Sequence, residues 1–238
     1  MVRGNYILDI YRNIYTMCYS VESSAKTTLY SLTAIIILLK SGVPHFQWIG
    51  ISLIGWCGMQ FAEFLLWLTD PRKGCTTANK IITLTLIPLV LILQPLGCIL
   101  GSFFVKPWKE CSQNRKLFIV VYSAIVITCL LYSFFRKIES TCTIVTNNGH
   151  LNWWLNHDKF SYMLYFMLAV TISLPLLLLW DVSYKLLFIL AIFPFYGYNY
   201  GLTTDSAASI WCYYTSFTSI FSLIAYGLYK FNVYNILK

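Results

Sequence analysis

Gln60 and Glu63 stand in the run "WCGMQFAEFLLW", residues 56–67, inside a longer stretch that is otherwise almost wholly apolar. A carboxamide and a carboxylate three residues apart share one face of a helix. In an apolar setting such a pair can bind a proton, a cation or a small cationic solute. An ionised carboxylate in hydrocarbon costs several kcal/mol, so a group of this kind is paired, protonated or turned toward water. At about 100° per residue, His45, Ser52, Trp56, Gln60, Glu63 and Trp67 fall in one stripe about 80° wide. Ile51, Ile54, Phe61 and Leu65 lie opposite. The spacing therefore predicts a polar and aromatic seam that points into a bundle. The bland alternative is a protonated Glu63 that only glues its helix to a neighbour.

Further polar groups could complete such a site. Gln94 stands beside Pro95, and a proline frees backbone carbonyls to line a cavity; Pro88 lies earlier on the same side. A later apolar segment opens with "TTDSAAS", where Thr204 or Asp205 is the expected N-cap. Its Ser209, Cys212, Tyr213, Ser216 and Ser219 fall within about 120° of one another. Serines at this spacing also suit plain helix packing. Asn199, with Tyr196, Tyr198 and Tyr200, stands in "FPFYGYNYG", where Pro194, Gly197 and Gly201 should break a helix. The expected ligand- or ion-binding set is Glu63, Gln60, Gln94, Asn199, Ser209 and Tyr213.

No catalytic set emerges. His45, His150 and His157 lie in loops or at the ends of apolar segments. His150, His157 and Asp158 match no strong metal-ligand spacing, and an isolated loop histidine is more often solvated. Lys230 sits at the end of the last apolar segment, so no mid-span lysine is available for a retinal-type Schiff base. Neither a metal nor a cofactor is expected, and an enzyme is not the favoured class.

The elements that must carry these residues follow from composition. The chain has 238 residues, 58% hydrophobic and 11% charged, with a mean hydropathy of +0.65. A soluble domain carries about a quarter charged residues, so the pattern reads as an all-α integral membrane protein. A span needs roughly 20 residues, and seven are expected near 24–42, 46–68, 78–104, 117–135, 160–180, 184–200 and 206–230. Gly97 and Gly101 give the third a small-xxx-small spacing for close helix approach. Before the bundle (24–238), residues 1–23 form an interfacial region. Within it, Ile7, Ile10, Tyr11, Ile14, Cys18 and Val21 face away from Asp9, Arg12, Asn13, Thr16 and Ser20, which predicts an amphipathic helix over 7–21 lying in the bilayer plane.

The net charge of +8 is scattered between apolar blocks. It points to anionic lipid headgroups rather than nucleic acid. Lys and Arg divide almost evenly between the two sides, so the positive-inside rule yields no orientation. Cys75 and Cys142 are the two cysteines in loops on the N-terminal side, and a disulfide between them fits if that side is lumenal or extracellular. The long loop 136–159, with "NNGHLNWWLNHD", also reads as external.

The runs "MQFAEFLLW", "CTTANKIITLTLIPLVLILQP" and "SIWCYYTS" resemble an uncharacterised family of multi-pass membrane proteins of large DNA viruses and single-celled eukaryotes. The resemblance covers the second, third and seventh spans. It implies a viral or protist setting and supplies no activity or site residues. The leading functional expectation is a transporter or channel for protons, cations or a small cationic solute. A receptor-like ligand-binding bundle is the second reading, and a membrane-embedded lipid-modifying enzyme the third. The bilayer is the expected partner, and a homo-oligomer is compatible with the pattern.

Overall fold

The computed structural model describes residues 20–135, 142–147, 149–153 and 207–231. Most of them are helical, in five helices: α1 (Val21–Leu39), α2 (Pro44–Leu68), α3 (Thr77–Val105), α4 (Gln113–Phe135) and α5 (Ala207–Lys230). A 3-10 turn (Trp108–Glu110) and two short strands, β1 (Ile144–Val145) and β2 (Leu151–Asn152), complete the described elements. Two of the helices, α2 with 25 residues and α3 with 29, are long and apolar enough to cross a membrane. The amphipathic helix expected over 7–21 lies outside the described residues, apart from its last two positions. The spans expected at 160–180 and 184–200, with Asn199 and the N-cap at Thr204 or Asp205, also lie outside them.

Local chemistry explains where the helices begin. Ser20 Oγ accepts from the Ser23 amide and Ser23 Oγ accepts from the Ser20 amide, each at 3.2 Å, a reciprocal capping box. That box starts α1 at Val21, so residues 21–23, placed in the interfacial region 1–23 by the sequence, are in this helix. Gly42, at φ 70°, makes the turn into α2, and Pro44 opens that helix where its missing N–H costs nothing. Thr76 caps α3 by accepting from the Asn79 amide.

The third helix is not the uninterrupted α-helix that its apolar run predicts. Residues Ile82–Leu86 form a π-helical turn, closed by the Ile87 amide donating to Ile82 O. Pro88 supplies the reason. Its ring and missing amide disrupt the α-helical bond to the preceding turn, and an extra residue in that turn absorbs the conflict.

The axis of the fold is α2, which packs on α1, α3 and α5. Its seam with α3 is close because glycines remove the side chains between the backbones. A Cβ at Gly55 would lie 2.5 Å from Gln94 N, and one at Gly101 would lie 2.8 Å from Trp48 O. Gly97 also faces α2, 3.0 Å from Ile51 O by the same construction, so both members of the GxxxG pair lie on this seam. Trp48 Nε1 donates to Cys98 O across it at 3.0 Å. In a separate cluster, Ile92 and Ile99 of α3 meet Ile119, Tyr122 and Val126 of α4.

Strands β1 and β2 pair antiparallel, Ile144 with Asn152 and Val145 with Leu151. The described part of the 136–159 loop is packed against the helices. Leu151 and Trp153 are fully buried in the same core cluster as Met59, Leu66 and Trp67 of α2.

Candidate functional site

Glu63 is completely buried, and Ser52, Trp56, Gln60 and Trp67 are buried on the same face of α2. On the opposite face Ile54 and Phe61 are exposed by 42% and 43%. The stripe therefore faces inward, with half-buried His45 at its start. Gln60 Nε2 donates to Cys212 O on α5. That carbonyl also accepts from Thr215 Oγ1 at 2.9 Å, so one α5 carbonyl serves two donors.

Gln94 is fully buried, but its amide does not turn to Glu63. Nε2 donates to Met59 Sδ of α2. The close approach at Gly55 accounts for this. It brings the Gln94 backbone against α2, and Met59 sits about one helical turn beyond Gly55 on the same side. Among the described residues, Gln94 Oε1 and Trp56 Nε1 are both buried and meet no hydrogen-bond partner. A buried acceptor or donor left unmade costs about 1–3 kcal/mol.

On α5, Ser209, Cys212, Ser216 and Ser219 are all buried. Ser219 Oγ donates to Ser31 Oγ of α1 at 3.0 Å. For the lower serines this is the helix-packing role that their spacing equally allowed. Tyr213 lies on α5, with its side chain outside the described residues. The pairing of Gln60 with Cys212 at one level and of Phe46 with Tyr226 at another, ring centroids 5.1 Å apart, sets α2 and α5 antiparallel in a fixed register. Glu63 and Ser209 each lie three residues beyond the Gln60–Cys212 contact. Both are thus about one turn nearer the same end of the bundle.

At that end His150 Nδ1 lies 3.3 Å from Ser209 Oγ. His150 is buried rather than solvated as a loop histidine was expected to be, and Thr146 Oγ1 donates to its carbonyl at 2.8 Å. Desolvation pushes its pKa down to about 4, so the imidazole is neutral near pH 7. The sequence carries a signal for this placement: "TIVTNNGHLNW" puts an Asn-Gly dipeptide between β-prone runs, the mark of a hairpin.

The hairpin is tied to α3 as well. Cys75 and Cys142 form a disulfide, with Cα atoms 5.6 Å apart. Next to it, Asn79 Nδ2 donates to Thr143 O at 3.0 Å and Thr143 N donates to Asn79 Oδ1 at 2.9 Å. Thr83 Oγ1 donates to Asn79 Oδ1 and lies 2.8 Å from Thr143 Oγ1. His157 and Asp158 are outside the described residues, and among the described residues no cluster of His, Cys, Asp or Glu could hold a metal ion. Taken together, the arrangement is a buried carboxylate and two carboxamides where α2 meets α3 and α5, beneath a clamped hairpin. No family model, curated protein or solved structure matches the chain.

Proposed function

We propose that this chain is a seven-span integral membrane protein that passes protons, cations or a small cationic solute by way of Glu63. The observation that carries the reading is the complete burial of Glu63 in a long apolar helix, on the face shared with Gln60. A carboxylate so placed is costly unless it is paired, protonated or hydrated, and an ionisable residue inside an apolar span is by default a candidate functional site. Gln60 and Gln94 are the supporting carboxamides, with Ser209 one turn nearer the hairpin; Asn199 and Tyr213 join them on the sequence argument. Leu29 and Leu32 on α1, Leu117 and Val121 on α4, and Ile224 and Leu228 on α5 are exposed, which suits lipid contact. The bilayer is the partner, and the resemblance to proteins of large DNA viruses and single-celled eukaryotes suggests the setting.

Reconstitution in proteoliposomes with pH-sensitive and cation-sensitive dyes tests the proposal. Glu63→Gln keeps size and hydrogen bonding and removes titration, so it should abolish pH-dependent flux while thermal stability stays near that of the parent. Parent-level flux in the Gln variant overturns the transport role. The disulfide-tied hairpin over one end favours a second reading, a receptor-like bundle. Stabilisation by a solute without any flux would select it.

A further inference from the structure

We infer that the hairpin, described over residues 142–147 and 149–153, is a locked plug that closes the Glu63 site from the oxidising side of the membrane. A chain of contacts connects the two. His150 on the hairpin touches Ser209, Ser209 lies one turn before Cys212, and Cys212 O holds Gln60, the neighbour of Glu63 on the α2 stripe. Glu63 is five residues from the end of α2 at Leu68, about 7.5 Å at 1.5 Å per residue. The hairpin is seated toward that end of α2, where Leu151 and Trp153 share a core cluster with Leu66 and Trp67.

The hairpin is fastened independently to several elements. The Cys75–Cys142 bridge ties it to the loop before α3, and Asn79 with Thr83 grips both the amide and the carbonyl of Thr143. His150 meets α5, and Trp153 is wholly buried in the main core. A two-stranded hairpin has little stability alone, so its position depends on these anchors. Among the described residues, Trp153 Nε1 and Asn152 Oδ1 are buried on it and meet no hydrogen-bond partner. Disulfides form and persist in oxidising compartments, which assigns the plugged end to the outer or lumenal face.

The plug rests on reading Glu63 as the site, but its test measures access rather than flux. Full-length protein in proteoliposomes is treated with a water-soluble carbodiimide and glycine ethyl ester. A carboxyl group adds to the carbodiimide, and the amine then displaces the urea to leave an amide that mass spectrometry locates. In the parent, exposed Glu22 should be labelled and Glu63 protected. In the Cys75→Ser/Cys142→Ser/Asn79→Ala variant, Glu63 labelling should rise on the order of tenfold or more through local opening. Cys98, buried in the α2–α3 seam, should meanwhile stay unreactive to maleimide. If Cys98 reacts too, Trp153→Ala, which keeps the bridge, replaces the triple variant and is judged by the same labelling. Glu63 that is labelled in the parent as fast as Glu22, or that stays protected when the hairpin is released, overturns the plug. Loss of flux in Glu63→Gln beside unchanged labelling would leave the transport reading standing and remove the plug alone.

Discussion

The glycine seam of α2 and the hairpin end of the molecule are held in different ways. Toward α3 the contact is made by what is missing, the side chains of Gly55, Gly97 and Gly101, so that backbone lies on backbone. At the hairpin end the contacts are polar and join several elements: Gln60 of α2 donates to an α5 carbonyl, His150 of the hairpin meets Ser209 of α5, and Asn79 and Thr83 of α3 grip Thr143. A glycine seam admits no adjustment, because any added atom meets main chain. A polar seam can exchange its partners for water. The rigid seam therefore fixes the frame, and on the transport reading proposed above the wettable end is where a solute or a proton is admitted.

The largest effect expected from breaking this contrast is at Gly55. Its added Cβ would lie 2.5 Å from Gln94 N and from Leu93 C, which are backbone atoms. Gly55→Ala should cost about 3 kcal/mol or more, since overpacking here cannot be relieved by a side-chain rotation. Denaturant unfolding in detergent, followed by far-UV circular dichroism, measures it; a loss below that of the hairpin variants would refute the rigid-seam reading.

Next come the hairpin fastenings. Cys75→Ser/Cys142→Ser should lose about 2–4 kcal/mol and become insensitive to reductant. Asn79→Ala should cost about 1–3 kcal/mol by stripping the amide and carbonyl of Thr143 of their partners. Combined, they should lose less than the sum, because both hold one segment. Strict additivity in calorimetry would show that the two fastenings act on separate units.

A smaller, pH-dependent effect belongs to His150. Burial lowers its folded-state pKa from 6.5 to about 4, so the unfolded chain binds more protons between those values. Stability from this residue is complete above about pH 6.5 and is lost as pH falls toward about 4. Thermal midpoints measured across that window should fall in the parent and flatten in His150→Gln. The smallest effect is at Gly227 on α5, off both seams, where an added Cβ meets nothing within 4 Å. Gly227→Ala should stabilise by about 0.5–1 kcal/mol through helix propensity alone. The same unfolding measurement then sets a glycine that the fold requires beside one that it does not.

How much of this is legible in the sequence follows from which features are local. The Glu63 stripe and the Gly97–Gly101 pair repeat with the helical period, so spacing alone locates them. Cys75 and Cys142 can be matched because both fall in loops on one side. Gln94 is different. Its sequence position makes it a natural partner for Glu63, but its donation to Met59 depends on how closely α3 approaches at Gly55, a distance that no periodicity encodes. The burial of His150 is also tertiary. Asn148-Gly149 announces a turn, yet only the packing of Leu151 and Trp153 against α2 decides that the histidine enters the protein. The start of α1 at Val21 rests on two serine hydroxyls that can be recognised as a cap, although Val21 also completes the apolar face of the preceding amphipathic pattern.

The π turn at Ile82–Leu86 has a consequence for phase. One extra residue in a turn rotates everything beyond it by about 100° relative to what came before. Asn79 and Thr83 grip Thr143 at the start of α3, and Val90, Gln94, Gly97 and Gly101 line the seam with α2 further along. By uniform helical periodicity all six positions would share one face, so the widened turn sets the clamp at an angle to the seam. Removing a single residue there would leave composition and hydropathy almost untouched, and would swing the clamp off the hairpin while the seam stayed in place. The lock on one end of the molecule is thus a matter of angular bookkeeping inside α3, set by a proline and one surplus residue.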